Sequence, residues 1–247
     1  MRTKEKVSNI AGVMIIFRAK NPAEIFIEVK DDGYPLKRFR RCLCPIGGNW
    51  IGERAKGDRN PLDTARREIN EELTLERMIA STLELKLLGI ETEGNFYQTP
   101  KKNYIPNSEE IKTLAELKQI ITENCTPFGD FLYHFRISQK ESLMPLVSYW
   151  LVALREDEWD RLVNLQKKFG NLSNESITII TSLKEIIETG TRVAFGHDRA
   201  LQKFFLSFGL SDAHQMPLMG GITSKEMGKT LVSYEEYMAQ YDIKRKP

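Results

Sequence analysis

The chain has 247 residues, of which 41% are hydrophobic, so it can build a sizeable core as one elaborated domain or two small ones. Its 36 Lys and Arg nearly balance 34 Asp and Glu, and the net charge of +2 gives no sign of a protein that coats nucleic acid or binds membrane surfaces. Three cysteines without C-x-x-C spacing favour a reducing, cytoplasmic setting, and the apolar run at residues 10–17 is too short to span a membrane. We expect no targeting segment.

The elements in chain order alternate strands with helices. Apolar runs rich in β-branched and aromatic residues predict strands over residues 10–17, 24–29, 41–46, 83–90, 131–137 and 147–154, and a further apolar run lies at 177–180. A turn-rich AKNPA link makes the first two a hairpin, and the third leads into Gly47 and Gly48. Helical spacing predicts helices from residue 61, over 108–124 and about 158–169, and through GHDRALQKFFLSFG to Gly209.

The helix that begins near residue 61 has an acidic face. Asn60 before Pro61, with Asp63 in the first turn, is a strong helix start. At about 100° per residue, one face is apolar and the other side gathers carboxylates. The apolar face holds Leu62, Ala65, Ile69 and Leu73, and the acidic side holds Glu68, Glu71 and Glu72.

Crowded carboxylates on one helix face favour a bound cation, although a solvated charged face is the alternative for a helix of this kind. Glu68, Glu71 and Glu72 are spaced i, i+3 and i, i+4, where like charges destabilise an isolated helix by about 0.2–0.5 kcal/mol per pair. Arg67 relieves only part of this repulsion. Hard divalent ions such as magnesium are bound by several oxygen ligands and retain waters or phosphates in the remaining positions. Upstream, Gly48 lets the backbone approach a ligand closely, so that a carbonyl can turn toward a metal.

Residues 47–75, GGNWIGERAKGDRNPLDTARREINEELTL, resemble the signature of the Nudix hydrolase family: a glycine, an acid, then R-E-U-x-E-E-x-G-U, where U is a bulky aliphatic residue. The second half fits through Arg67, Glu68, Ile69, Glu71, Glu72 and Leu75. Thr74 stands in place of the usual glycine, and Asp58 in place of the usual glutamate, with one extra residue before Arg67. Glu53 is an alternative for the upstream acid.

The resemblance implies a metal-dependent hydrolase that cleaves a diphosphate linkage in a nucleoside diphosphate derivative by water attack. Mg²⁺ or Mn²⁺ would be held mainly by Glu68 and Glu72, with the Gly48 backbone and either Asp58 or Glu53 as further ligands. Glu71 would be a third ligand or the catalytic base, and Arg67 would orient the carboxylates or simply form an ion pair on the helix face. A base from a later loop is the alternative, with candidates Asp130, Glu141, Glu156 and Asp157.

The resemblance also implies an α/β/α sandwich with a mixed β-sheet. It covers residues 8–209, with an insertion near 97–128 that carries the 108–124 helix, and leaves 210–247 as a C-terminal extension. A homodimer is a further expectation, since family members are often dimers. The His197-Asp198 pair opens the closing helix, and we interpret it as a helix cap rather than a catalytic pair, because no serine or cysteine nucleophile accompanies it.

Three aromatic residues, Trp50, Phe96 and Phe128, are candidates for stacking on a nucleotide base, with packing as the alternative for each. The leading hypothesis is thus a Nudix-type diphosphate hydrolase acting on a small nucleotide substrate. A second hypothesis is a catalytically silent Nudix-like module that senses nucleotides or binds proteins, suggested by Thr74 and the lengthened front half. A third is a structural helix with no metal.

Overall fold

The computed structural model describes residues 7–50, 57–75, 105–136, 142–173 and 175–231, together with positions 233, 236 and 239. The predicted strand at 83–90 and the candidates Glu53, Phe96 and Glu141 lie outside the described residues.

Strands and short or long helices alternate along the chain. The strands are β1 Ile10–Arg18, β2 Asn21–Val29, β3 Leu43–Cys44, β4 Ile46–Trp50, β5 Cys125–Arg136, β6 Ser142–Leu143, β7 Leu146–Leu154, β8 Ile177–Ser182 and β9 Ile222–Gly228. The α-helices are α1 Pro61–Glu72, α2 Ser108–Glu123, α3 Glu156–Phe169, α4 Leu183–Thr189 and α5 His197–Ser207. Single 3₁₀ turns cover Lys37–Phe39, Ala194–Gly196 and Ser211–Gln215.

Strand β1 lies at the centre of a mixed sheet. One edge pairs in parallel with β7 along its whole length. The other edge is divided, because residues 10–14 pair with β4 and residues 16–18 pair with β2, both antiparallel. The sheet runs in the order β3-β2-β1-β7-β5-β6, and β8 pairs with β2 while β9 pairs with β5. The site described below lies where α1 crosses β1 and β4.

Helices pack on both faces of this sheet. Alternate side chains of β1 point to opposite faces, as strand geometry requires. Met14 and Ile16 pack with apolar residues of α1, α2 and α3, whereas Ile15 and Phe17 pack with those of α4 and α5. The predicted α/β class, with a mixed sheet between helices, is confirmed. None of the described helices is long and apolar enough to cross a membrane.

The pattern-based elements are largely confirmed, including the β1–β2 hairpin and the inserted helix α2. The third strand differs: it breaks at Pro45, which has no N–H to donate, after a turn in which Arg41 has a φ of 58°. Gly47 and Gly48 therefore lie inside β4, paired with Val13 and Gly12, rather than after a strand. Strand β5 begins at Cys125, within the stretch predicted as the insertion.

The segment after residue 210 contributes to the sheet. Strand β9 pairs with β5 from Phe135↔Ile222 to Asp130↔Gly228. Beyond it, Thr230 Oγ1 donates to the Tyr149 carbonyl at 3.1 Å, and Leu231 N donates to Asp130 Oδ2 at 3.2 Å. Residues 222–231 thus add an edge strand to the same sheet, while the predicted domain boundary at 210 stays a prediction.

Candidate active site

Helix α1 begins and packs as its sequence predicts. The Asn60 side chain accepts a hydrogen bond from Asp63 N at 3.0 Å, and Pro61 is the first helical residue. Such a cap satisfies one of the unpaired N–H groups of the first turn. Ala65 and Ile69 are fully buried against the sheet. Glu68 is partly exposed and Glu71 is exposed, whereas Glu72, which the sequence predicts on the acidic side, is buried together with the apolar face.

Two glycines let α1 lie unusually close to the strands. A Cβ at Gly12 would lie 1.8 Å from the carbonyl oxygen of Pro61, and a Cβ at Gly48 would lie 2.3 Å from Glu68 Oε1. Neither position can accept a side chain without moving the helix or the glutamate. Gly48 is thus brought together with Glu68, as predicted, although metal binding by its carbonyl stays a prediction.

Arg67 connects the carboxylates of this region. Its Nε lies 3.0 Å from Asp58 Oδ2, its Nη2 lies 2.8 Å from Glu68 Oε1, and its Nη1 lies 2.7 Å from Glu71 Oε2. The Arg67 side chain is only 13% exposed, so these charge-assisted contacts are partly shielded from water. We call Asp58, Arg67, Glu68, Glu71 and Glu72 the carboxylate cluster.

Asp58 is the upstream acid that contacts the helix. It is buried, and besides Arg67 it accepts a hydrogen bond from Thr64 Oγ1 at 3.0 Å. The described partners of its carboxylate, Thr64 and Arg67, both belong to α1, so Asp58 ties the preceding loop to the helix. The sequence left Asp58 and Glu53 as alternatives, and of these Asp58 is the one that the described residues place beside Arg67.

Glu72, the last residue of α1, is buried beside a second buried carboxylate, Glu28 of β2. Burial, together with the charge of Glu28 and a hydrogen bond to it, raises the pKa of Glu72 to about 10. Among the described residues, Glu72 Oε2 has no hydrogen-bond partner. A buried, unpaired carboxyl oxygen is costly, so a favourable partner for this atom would be a cation.

Sequence analysis did not identify Glu28 and Lys30 as site residues. Lys30 Nζ lies 3.1 Å from Glu28 Oε2. Burial alone would lower the pKa of Lys30, but the nearby Cys44 thiol and the Glu28 carboxylate raise it overall. Strand alternation could have identified Glu28, because it places Glu28 on the same sheet face as Phe26, which packs against the α1 side. A charged residue on a core-facing position indicates a special environment.

Glu71 is the most exposed member of the cluster and faces a cavity. Its side chain is 44% exposed, and it lines a cavity of about 560 Å³ between the end of α1 and α2. Lys118 of α2 also lines this cavity and donates to the carbonyls of Asn70 and Leu73 at 2.7 and 2.8 Å. A cation at these terminal carbonyls stabilises the helix end. The inserted helix is therefore attached directly to the helix that carries the cluster.

The end of α1 leads into an extended segment rather than a glycine turn. Leu73 forms an isolated antiparallel bridge with Ser173, and Thr74 N donates to the Leu172 carbonyl at 2.9 Å. Extended backbone is readily adopted by a β-branched residue such as threonine. This geometry accounts for Thr74 at the position where the signature has glycine.

The cluster's oxygens are engaged by protein partners. Within residues 7–50, 57–75, 105–136, 142–173 and 175–231, no three His, Cys, Asp or Glu side chains are grouped closely enough to hold a metal ion. Glu68 and Glu71 contact Arg67, and Glu72 contacts Glu28. The donor types nevertheless suit magnesium or manganese, which prefer oxygen ligands, and the unpaired oxygen of Glu72 lies among them.

Two of the aromatic candidates lie in packed positions. Trp50 is buried with Ile10, Leu132 and Leu146, and its Nε1 donates to the Asp58 carbonyl at 3.1 Å. Trp50 therefore has a packing role, because β4 extends to Trp50 and pairs it with Ile10, and its stacking on a base stays a prediction. Phe128 is partly buried at the bulge of β5, with its ring 6.2 Å from that of Phe131. Phe128 also has a packing role, and its role in binding stays a prediction.

His197 and Asp198 do not cap α5 in the predicted way. The residue before the helix is Gly196, and no side chain caps it. Instead His197 is buried, with Nδ1 hydrogen-bonded to the Tyr149 hydroxyl, which lies 2.8 Å from the Tyr133 hydroxyl. Burial lowers the pKa of His197 to about 3, so the ring is neutral. We call Tyr133, Tyr149 and His197 the tyrosine-histidine network.

The later acids proposed as alternative bases are placed away from the cluster by their partners. Asp130 is fully buried and accepts from Leu231 N. Glu156 binds Arg18, with a shortest separation of 2.6 Å, and Asp157 is exposed beside Arg155. The partners named here lie outside the carboxylate cluster.

No protein-family model and no curated protein sequence matches this chain. Among solved structures, a NUDIX hydrolase from Alicyclobacillus acidocaldarius is similar over 97% of this chain and 99% of that chain, with 10% sequence identity and a TM-score of 0.36. At this level of similarity, function has to be argued from the geometry of the site.

Proposed function

We propose that this protein is a metal-dependent hydrolase of the Nudix type that cleaves a diphosphate linkage in a nucleoside diphosphate derivative by water attack. The observation that supports it is the arrangement of the carboxylate cluster. A single short helix bears Arg67, which contacts Asp58, Glu68 and Glu71, and ends in a buried Glu72 with an unpaired oxygen. A purely structural helix gains nothing from an unpaired buried carboxyl oxygen.

The proposed roles follow the positions of the side chains. Glu68 and Glu72 are the principal ligands of Mg²⁺ or Mn²⁺, one turn apart on α1, and Gly48 lies beside Glu68. Glu71, exposed toward the cavity, is a third ligand or accepts the proton of the attacking water. Arg67 contacts Asp58, Glu68 and Glu71 and holds all three carboxylates in fixed orientations. Its positive charge also offsets the repulsion between the neighbouring glutamates.

Bound Mg²⁺ or Mn²⁺ supplies charge neutralisation of the diphosphate and activation of water at neutral pH. The protein supplies orientation. Asp58, locked by Thr64 and Arg67, fixes the loop ahead of the helix, and Lys118 fixes the end of the helix. The carboxylates are thereby held on a rigid element, as a metal site requires.

A second candidate function is a catalytically silent module that senses nucleotides or binds proteins. It is favoured by the engagement of Glu68 and Glu71 with Arg67 and by the lack of a ready three-carboxylate group among the described residues. In this alternative, Arg67 neutralises the glutamates permanently, and the cavity beside Glu71 binds a ligand without turnover.

The test is hydrolysis of a panel of ADP-ribose, dinucleoside polyphosphates, nucleotide sugars and nucleoside triphosphates, with and without Mg²⁺. We expect Mg²⁺-dependent phosphate-bond cleavage of at least one member, reduced at least about 100-fold in Glu72→Gln, since the ligand itself is lost. Glu123→Gln, an exposed glutamate at the end of α2, is the matched control and should retain wild-type activity. No turnover across the panel, with nucleotide binding retained, would favour the silent module.

A further inference from the structure

Glu28 is a buried carboxylate outside the α1 motif. It lies on β2 and is only 1% exposed. Its position on the strand places it on the sheet face that packs against α1, the same face as Phe26. A buried ionisable side chain at such a position is uncommon unless partners hold it.

Both oxygens of Glu28 are held by donors from the protein. Lys30 Nζ donates to Oε2 at 3.1 Å, and Ser176 Oγ donates to Oε1. Ser176 in turn contacts the Ser173 hydroxyl at 3.2 Å. Glu28 is therefore fixed in orientation from two directions, and its own oxygens are committed to these partners.

Glu28 contacts the α1 motif through Glu72. Leu73, the residue after Glu72, pairs with Ser173, and the Ser173 hydroxyl contacts the Ser176 hydroxyl that binds Glu28, so the end of α1 lies beside Glu28. Glu72, 6% exposed, keeps Oε2 without a partner among the described residues. We propose that Glu28 is a positioning residue that holds the Glu72 carboxyl group, so that one Glu72 oxygen stays available to the cation of the proposed site. This inference rests on the proposed function, and it adds a residue from a different strand to that site.

The physical reason is that outer partners orient metal ligands and tune their affinity. Two carboxyl groups packed together are unfavourable for folding alone, and apolar residues of similar volume would serve packing as well or better. The negative charge of Glu28 beside Glu72 also increases attraction for a cation at short range. Lys30 balances the charge of Glu28, and its own charge also lowers the pKa of the nearby Glu72 carboxyl group.

The experiment measures Mn²⁺ binding to the full chain by electron paramagnetic resonance, with folding followed by circular dichroism. Glu28→Gln keeps the size of the side chain and removes its charge. We expect Mn²⁺ affinity to fall about 10- to 100-fold, as for other outer-sphere partners. Glu24→Gln is the matched control, since Glu24 lies on the same strand but binds Arg18 and Asn21, and its Mn²⁺ affinity should stay within about twofold of wild type.

A purely structural role for Glu28 would change the melting temperature of the metal-free protein but leave Mn²⁺ affinity unchanged, and that result would overturn the inference. If Glu28→Gln fails to fold, Ser176→Ala removes one anchor of Glu28 and should weaken Mn²⁺ binding severalfold; unchanged affinity there would also overturn it. Wild-type protein that binds no Mn²⁺ would instead overturn the proposed function. Loss of binding in Glu72→Gln with normal binding in Glu28→Gln would leave the proposed function standing and reject the role of Glu28.

Discussion

The two faces of the sheet bury polar groups in opposite ways. On the α5 face, the tyrosine-histidine network is neutral, and each of its three side chains has a hydrogen-bond partner within the network. On the α1 face, the carboxylate cluster is acidic, Arg67 contacts three of its carboxyl groups, and Glu72 Oε2 is unpaired among the described residues. Both regions bury polar side chains, but of the two only the carboxylate cluster has an unpaired buried oxygen among the described residues.

This contrast separates a structural role from a functional one. A fully paired neutral network stabilises a particular packing and needs nothing further. An acidic group with a strongly raised pKa beside other acids is typical of sites that bind a cation or transfer a proton. The two regions should therefore respond differently to substitution, to pH and to metal ions.

The largest expected effect is on the carboxylate cluster. Arg67→Ala removes the cation that contacts Asp58, Glu68 and Glu71 and leaves their charges unbalanced. We expect the free energy of unfolding to fall by about 3–5 kcal/mol, measured by urea denaturation without metal. Arg59→Ala is the control: Arg59 is 79% exposed and pairs with Asp63, so its loss should cost no more than about 1 kcal/mol. Equal losses would show that Arg67 is only another ion pair of the helix surface.

A smaller, pH-dependent effect is expected at Glu72. Because the pKa of Glu72 is about 10 in the folded protein and ordinarily 4.5, the folded protein binds the proton more tightly than the unfolded chain. Metal-free stability contributed by Glu72 is therefore greatest at low pH and falls as pH rises through the window between these values. Glu72→Gln resembles the protonated carboxyl group and does not titrate. We expect the variant to become more stable than wild type by about 2 kcal/mol or more at pH 8.5, with little difference at pH 5.

Wild type and Glu72→Gln also test whether Glu72 binds a cation. Added Mg²⁺ should stabilise the wild type at pH 8.5 by mass action and narrow its difference from Glu72→Gln, whereas the variant should gain little. Urea titrations at both pH values, with EDTA or Mg²⁺, measure this directly. A difference that does not change with pH would contradict a protonated, buried Glu72.

Much of the α1 face could be predicted from local pattern. The capped start at Asn60, the apolar spacing of Ala65 and Ile69, and the acidic spacing of Glu68 and Glu72 all act within one helix, where periodicity determines which side chains are neighbours. Contacts between residues far apart in the sequence could not be predicted in this way. Glu28 reaches Glu72 only because β2 and the end of α1 meet in three dimensions, and spacing in the sequence carries no information on that meeting.

Wrong and incomplete predictions have the same origin. The sequence offers Trp50 as a candidate for base stacking, yet pairing of β4 with β1 continues through Gly47 and Gly48 and buries the indole ring. His197 was read as a local cap, whereas its partner Tyr149 lies on β7, 48 positions earlier in the chain. Tertiary pairing overrides the local signal at each of these positions.

The smallest expected effect concerns the tyrosine-histidine network. Its contribution to stability depends on pH in the direction opposite to that of Glu72. The pKa of His197 is about 3 in the folded protein and ordinarily 6.5, so the unfolded chain binds the proton more tightly. The stability that neutral His197 contributes is complete above pH 6.5 and is lost as pH falls toward 3. His197→Gln keeps a hydrogen-bonding group near Tyr149 but cannot titrate. We expect it to be less stable than wild type at pH 7, with the difference shrinking by about 1–2 kcal/mol at pH 5. Mg²⁺ should not change the difference in unfolding free energy between wild type and His197→Gln, because no described contact links His197 to the carboxylate cluster. If Mg²⁺ did change that difference, the two faces of the sheet would be coupled.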